Sequence, residues 1–211
     1  MTFLIREYSG IKLVYHQIPK NGCTTVANMI NQADGKKMPA NELTATGRDT
    51  VKSYYHTHMM NNVRKWNRPY RHVDCDISIV IKRDPIARFI SGYTNRIHFH
   101  NDLGRDLPGT PIITPTITEF INHFDEYMKE TWIRQHFQSQ SWFAGKTKYH
   151  THVYDLSQIK EFAKLLSDLS KKKINLVRLQ QGGNTIPVEL TSSQINWIRK
   201  KYEEDYDNGF C

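Results

Sequence analysis

The chain of 211 residues has no apolar run near the ~20 residues that cross a bilayer, and its opening, MTFLIREYSG, lacks a basic stretch followed by an apolar block. Neither stable membrane insertion nor a secretory leader is expected. Cysteine is scarce: Cys23, Cys75 and Cys211 show no metal-ligand spacing and leave one thiol over in any disulfide scheme. A reduced setting is therefore expected, and the cytoplasm, that of a bacterium, suits the chain. Internal repeats are absent, and no carboxylate pair suggests a metal site. Hydrophobic residues make up 38%, a modest share that still allows one core in a single domain spanning residues 1–211. The excess is in positive charge. Lys and Arg number 29 against 21 Asp and Glu, a net +8, which calls for an acidic partner: nucleic acid, nucleotide, anionic glycan or membrane surface.

Residues 11–18 read as a strand, and Thr24 to Ile30 as the first turns of a helix. Residues 32–53, with Gly35, Pro39 and Gly47, read as a long loop. Ile77 to Ile81 is a short Ile- and Val-rich run suited to a buried parallel strand. Asp84-Pro85 then combines a good N-cap with a good first helical residue, so a helix is expected to about Ile97. Residues 100–116 form a Pro- and Gly-rich loop, 117–138 a helix, 149–154 a candidate strand, and 156–169 a helix by its apolar spacing. Thr191 with Gln194 forms a capping box for a last helix through Tyr202. Two strand-loop-helix units in the first half predict an α/β fold: a central parallel sheet flanked by helices.

Both units end in turns with chemistry on them. In LVYHQIPKNGCTTV, Leu13 to Val26, a strand runs into Lys20, Asn21, Gly22, Cys23, Thr24 and Thr25 and then a helix start. A Gly lets the backbone curl, and N–H groups at a helix start point at an anion. A Walker A loop, GxxxxGK[ST], does not fit: its first Gly is missing and Lys20 precedes Gly22. The second turn, Arg83 to Ser91, lies at the end of the second strand. Ligands of open α/β sheets bind at that edge, so two anion sites there suggest a ligand with phosphate at both ends.

IPKNGCTT followed by VIKRDPIARFISGY resembles the sulfotransferases that use 3′-phosphoadenosine 5′-phosphosulfate (PAPS), in the branch holding carbohydrate sulfotransferases and heparan 2-O-sulfotransferase. The closing YEEDY, Tyr202 to Tyr206, is similar to the family's C-terminal helix. The resemblance implies a P-loop-like fold, with Lys20 to Thr25 on the 5′-phosphosulfate and Arg83 and Ser91 on the 3′-phosphate. It implies sulfuryl transfer from PAPS to a hydroxyl acceptor, a glycan or glycolipid, with no metal and no nucleic acid. Lys20 would neutralise charge on the departing phosphate, as preorganised backbone N–H groups would.

The acceptor hydroxyl must lose a proton. In Tyr55-His56-Thr57-His58, an extended segment puts both imidazoles on one side. The family's similar YHxH element makes His58 the expected base and His56 its support. His136 and Gln140, in RQHFQSQ, resemble an HxxPQ element of carbohydrate sulfotransferases, with Ser139 in place of Pro, and are candidate acceptor contacts or a polar helix end. Arg88 either assists the phosphate or covers surface. Trp132, Phe137, Trp142 and Phe143 form a sugar-stacking platform or core. Lys171–Lys173 and Arg199–Lys201 are solvated faces or glycan contacts. Two rival readings use the same features: a P-loop nucleotide kinase, and a basic polyanion-binding protein.

Overall fold

The computed structural model describes residues 3–36, 69–104, 112–176 and 187–211. Phe3–Tyr8 (β1) and Ile11–His16 (β2) pair antiparallel. Their turn is Ser9-Gly10, with φ of 53° and 79°, the left-handed pair that suits a two-residue hairpin. The sequence reading assigns nothing to residues 3–8. The Ser-Gly pair between two strand-like segments is the signal for this hairpin.

From β2 the chain enters Cys23–Ala33 (α1), and Ile77–Lys82 (β3) leads into Pro85–Gly92 (α2). The helix expected to reach Ile97 changes pitch at Tyr93 and continues as a π-helix to Phe99. Residues 117–138 are three short helices rather than one: Ile117–Asn122 (α3), Phe124–Tyr127 (α4) and Thr131–Phe137 (α5). On one straight helix Ile133 and Phe137 would point away from the face of Phe120, Phe124 and Tyr127. The breaks re-aim them, and all five share one buried cluster with Phe89, Ile198 and Tyr202. Gln140–Ala144 (α6), His152–Asp155 (β4) and Ile159–Ser170 (α7) follow. Ser192–Lys201 (α8), opened by the Thr191–Gln194 capping box, and Glu203–Asp207 (α9) close the chain.

The described strands form one sheet in the order β1-β2-β3-β4. β2, β3 and β4 are mutually parallel, so the expected parallel sheet gains one antiparallel edge strand, β1. This is an α/β fold with helices on both faces. Alternation along the strands divides the core. Leu13, Tyr15, Ile79 and Ile81 pack with Val26, Met29, Ile30, Phe162 and Leu166 of α1 and α7. Val80, on the other face, packs with Ile18, Phe143, Ala144 and Phe210. Parallel β2 and β3 therefore deliver their two following turns to the same edge. Among the described residues no helix is long and apolar enough to cross a membrane.

A polar cluster lies beside this second core. His150 donates from Nε2 to the Ala144 carbonyl at 2.8 Å, so its Nδ1, 2.9 Å from Ser78 Oγ, accepts from that hydroxyl. The His16 ring packs edge-on to His150 at 4.7 Å and against Tyr70 at 5.4 Å, and its Nδ1 is buried without a partner. Burial pushes the His16 imidazole down to about 3, with His150 and His72 adding repulsion, and burial lowers His150 too. Both are neutral in the fold but charge in the unfolded chain below about pH 6.5. The unfolded state then binds more protons, so stability is complete above about pH 6.5 and is lost as pH falls towards 3. Between pH 6.5 and 5 His16 alone costs about 2 kcal/mol. Melting at pH 7 and 5 is expected to show a fall of several degrees, smaller in His16→Phe. An unchanged melting temperature would contradict this.

Candidate active site

The first turn begins where β2 ends. Asn21 N–H donates to the Ile18 carbonyl at 3.2 Å, and Lys20 and Gly22 take left-handed φ values of 73° and 72°. A left-handed backbone is uncommon for lysine. It turns the chain so that α1 starts directly at Cys23, and the first helical bond, Val26 N–H to Gly22 carbonyl, is 3.0 Å. No side chain caps Gly22, and the first turn holds no acidic residue. The positive end of an 11-residue helix thus lies at this turn with no side-chain cap at its N-cap residue, Gly22. Cys23 and Thr24 are half-buried there, and Thr25 is buried. The φ of Gly22 favours glycine, and a Cβ there would come within 2.7 Å of the movable Leu156 Cδ1.

The second turn follows β3. Asp84 caps α2 by accepting from Ala87 N–H at 2.7 Å, and Pro85 takes the first helical position, as expected. Arg83 Nη1 donates to the Lys20 carbonyl at 3.0 Å, which ties the two turns together. Ser91, two turns along α2, is half-buried and makes no side-chain hydrogen bond among the described residues. Lys20 Nζ donates to Asn95 Oδ1 at 2.6 Å. Asn95 sits on the π-helix, a feature frequent at functional sites, and nothing in the sequence reading singles it out. Burial pushes the Lys20 ammonium down to about 7; Cys23 opposes the shift, and Arg96, Arg83 and Arg88 deepen it. The cations converge on one place. Arg83 is likewise lowered, by burial and then by Arg88.

This edge carries two tied turns and a lysine held in a positive field. A family model described as Sulfotransferase family matches residues 3–208. The chain belongs to the Sulfotransferase family. No curated protein and no solved structure matches it. The match covers both turns and all four described strands. The family generally uses PAPS as sulfate donor, and membership implies a hydroxyl acceptor.

Several residues of this sulfotransferase sit differently from expectation. Arg88 does not cover surface; it lies inside, behind the first turn. It is buried, donating from Nε to the Pro19 carbonyl at 3.0 Å, from Nη1 to Gln138 at 2.8 Å and from Nη2 to His136 at 3.4 Å. Asn21, expected on the cofactor, is a buried strut whose Nδ2 donates to the Ile81 carbonyl at 2.8 Å and to Gln140 Oε1 at 2.6 Å. Gln140, a candidate acceptor contact or polar helix end, is fully buried and bonded to both turns. Phe137 and Phe143 are core, which removes two members of the aromatic platform. Trp132 is exposed, but its Nε1 is bound to Asp102 at 3.0 Å and Arg96 lies over its ring.

His136, in the last turn of α5, has both ring nitrogens buried with no hydrogen-bond partner among the described residues, its ring edge-on to Trp132. Burial, then Arg96, Lys20, Arg88 and His100, hold it neutral, well below the usual imidazole range. It belongs to the cationic region electrostatically. His56 and His58 lie outside the described residues, as does most of the 32–53 loop. Among the described residues no group of three His, Cys, Asp or Glu side chains could hold a metal ion.

Proposed function

We propose that this sulfotransferase moves the sulfuryl group of PAPS to a hydroxyl on a carbohydrate, a glycan or glycolipid, as in the carbohydrate and heparan 2-O-sulfotransferase branch. The observation that carries the reading is the Arg83–Lys20 carbonyl bond joining the two turns at the ends of adjacent parallel strands. A donor with a 5′-phosphosulfate and a 3′-phosphate has its two anionic groups matched by two such turns. Lys20, Gly22, Cys23, Thr24 and Thr25 take the phosphosulfate, with the α1 amides supplying fixed dipoles. Arg83 and Ser91 take the 3′-phosphate.

The reaction breaks the sulfur–oxygen bond to the 5′-phosphate and forms one from sulfur to the acceptor oxygen. The acceptor proton passes to His58, which His56 supports, and 3′-phosphoadenosine 5′-phosphate (PAP) leaves with the bonding electrons on its phosphate oxygen. Lys20 stabilises that charge. The test is transfer of labelled sulfate from PAPS to a panel of glycans by the wild type and His58→Ala. Incorporation that falls by about a hundredfold or more in the variant is expected. Full activity of His58→Ala would remove His58 as base, and no incorporation by the wild type into any hydroxyl acceptor would overturn the reading.

A further inference from the structure

Gln140, at the start of α6, meets both turns. Its Oε1 accepts from Asn21 Nδ2 at 2.6 Å in the first turn and from Arg83 N–H at 3.1 Å in the second. Its Nε2 donates to the Arg83 carbonyl at 2.7 Å. One planar amide therefore bonds both turns and uses its donor and its acceptor together. A carboxylate would lose the donor, and a hydrocarbon would leave several buried polar groups unpaired.

Gln140 is itself held from the far end of the chain. Asp205 of α9 is fully buried, and its carboxylate accepts from Gln140 N–H at 2.9 Å, Ser141 N–H at 2.8 Å and Ser141 Oγ at 2.9 Å. Tyr202 Oη donates to the Phe137 carbonyl at 2.6 Å, and Phe210 is buried against Val80 and Ile18, so this closing segment is anchored on both sides of Asp205. The line of support runs from Asp205 to Gln140 and from there to Asn21 and Arg83.

We propose that Gln140, held by Asp205, is the positioning residue that sets the separation of the two anion-binding turns, so that donor-nucleotide affinity passes through it. The inference rests on the PAPS reading. A misplacement of about 1 Å in such a site costs on the order of a hundredfold.

The test is calorimetric titration with PAP of the wild type, Gln140→Leu, Gln140→Glu and Asp205→Asn, each also in an Arg83→Ala background, with melting temperatures alongside. Weakening by about tenfold to a hundredfold is expected in each single variant. In the Arg83→Ala background the loss should shrink, because the share that passes through the placement of the Arg83 guanidinium is already gone while the share carried by Asn21 remains. A merely structural role would lower the melting temperature without this coupling. Gln140→Glu, equal in size, serves where Gln140→Leu does not fold. Wild-type affinity in folded Gln140 variants, or a loss of equal size in both backgrounds, would overturn the inference alone. A wild type that does not bind PAP would overturn the PAPS reading and this inference with it.

Discussion

Lys20→Ala lowers the rate of sulfuryl transfer by about a hundred- to a thousandfold, the usual loss when one preorganised charge-stabilising donor is removed. The residue stands at φ 73°, and alanine makes the same backbone demand, so the substitution isolates the ammonium from the turn. Lys20→Arg should not rescue, since a planar guanidinium does not reproduce a compact ammonium held by Asn95. The charge also gives a pH signature. With burial and three arginines holding its amine down to about 7, Lys20 is partly neutral at pH 8 before a ligand arrives. An anion favours the charged form, so PAP binding at pH 8 takes up a proton and weakens as pH rises from 6. Titrations in two buffers of different ionisation enthalpy measure that uptake. Equal heats in both, or an unchanged transfer rate in Lys20→Ala, would contradict the role given to this lysine.

Gly22→Val abolishes nucleotide binding and destabilises the fold. A β-branched residue at φ 72° bears a left-handed penalty of at least about 1–2 kcal/mol. Its Cβ also meets Leu156 Cδ1 at 2.7 Å. The leucine end can shift, so the left-handed backbone bears the larger cost, which is relieved by rotating the turn away from φ 72°. That displaces the start of α1, the site proposed for the phosphosulfate. A fall of several degrees in melting temperature with complete loss of PAP binding is expected, and Gly22→Ala should be intermediate. Undiminished PAP affinity in Gly22→Val would show that the α1 start is not the anion site.

The local steps of the fold were legible because short-range physics sets them. Asp84-Pro85 announces a capped helix, Thr191 and Gln194 a capping box, and Ile77 to Ile81 a buried parallel strand; each is found. The β1 hairpin was missed although Ser9-Gly10 carries its signal. The long-range bonds had none. That Arg88 points inward to the Pro19 carbonyl, that Asn95 receives Lys20 and that Asp205 reaches Gln140 across 65 positions follow only from packing. Asn21, expected on the cofactor, and Gln140, expected on the acceptor or at a polar helix end, both serve as internal struts. A polar side chain in a motif is equally suited to touching a ligand and to holding the residue that does. Only burial and partners separate the two.

The most direct test of the central claim is calorimetric titration of the wild type and Arg83→Ala with PAP in the absence of magnesium, set beside ATP with magnesium. The tied turns predict tight binding of PAP by the wild type, weakened by about a hundredfold or more in Arg83→Ala, as expected for loss of a charge-assisted phosphate contact. Absence of PAP binding, or preference for magnesium-ATP, would contradict the account.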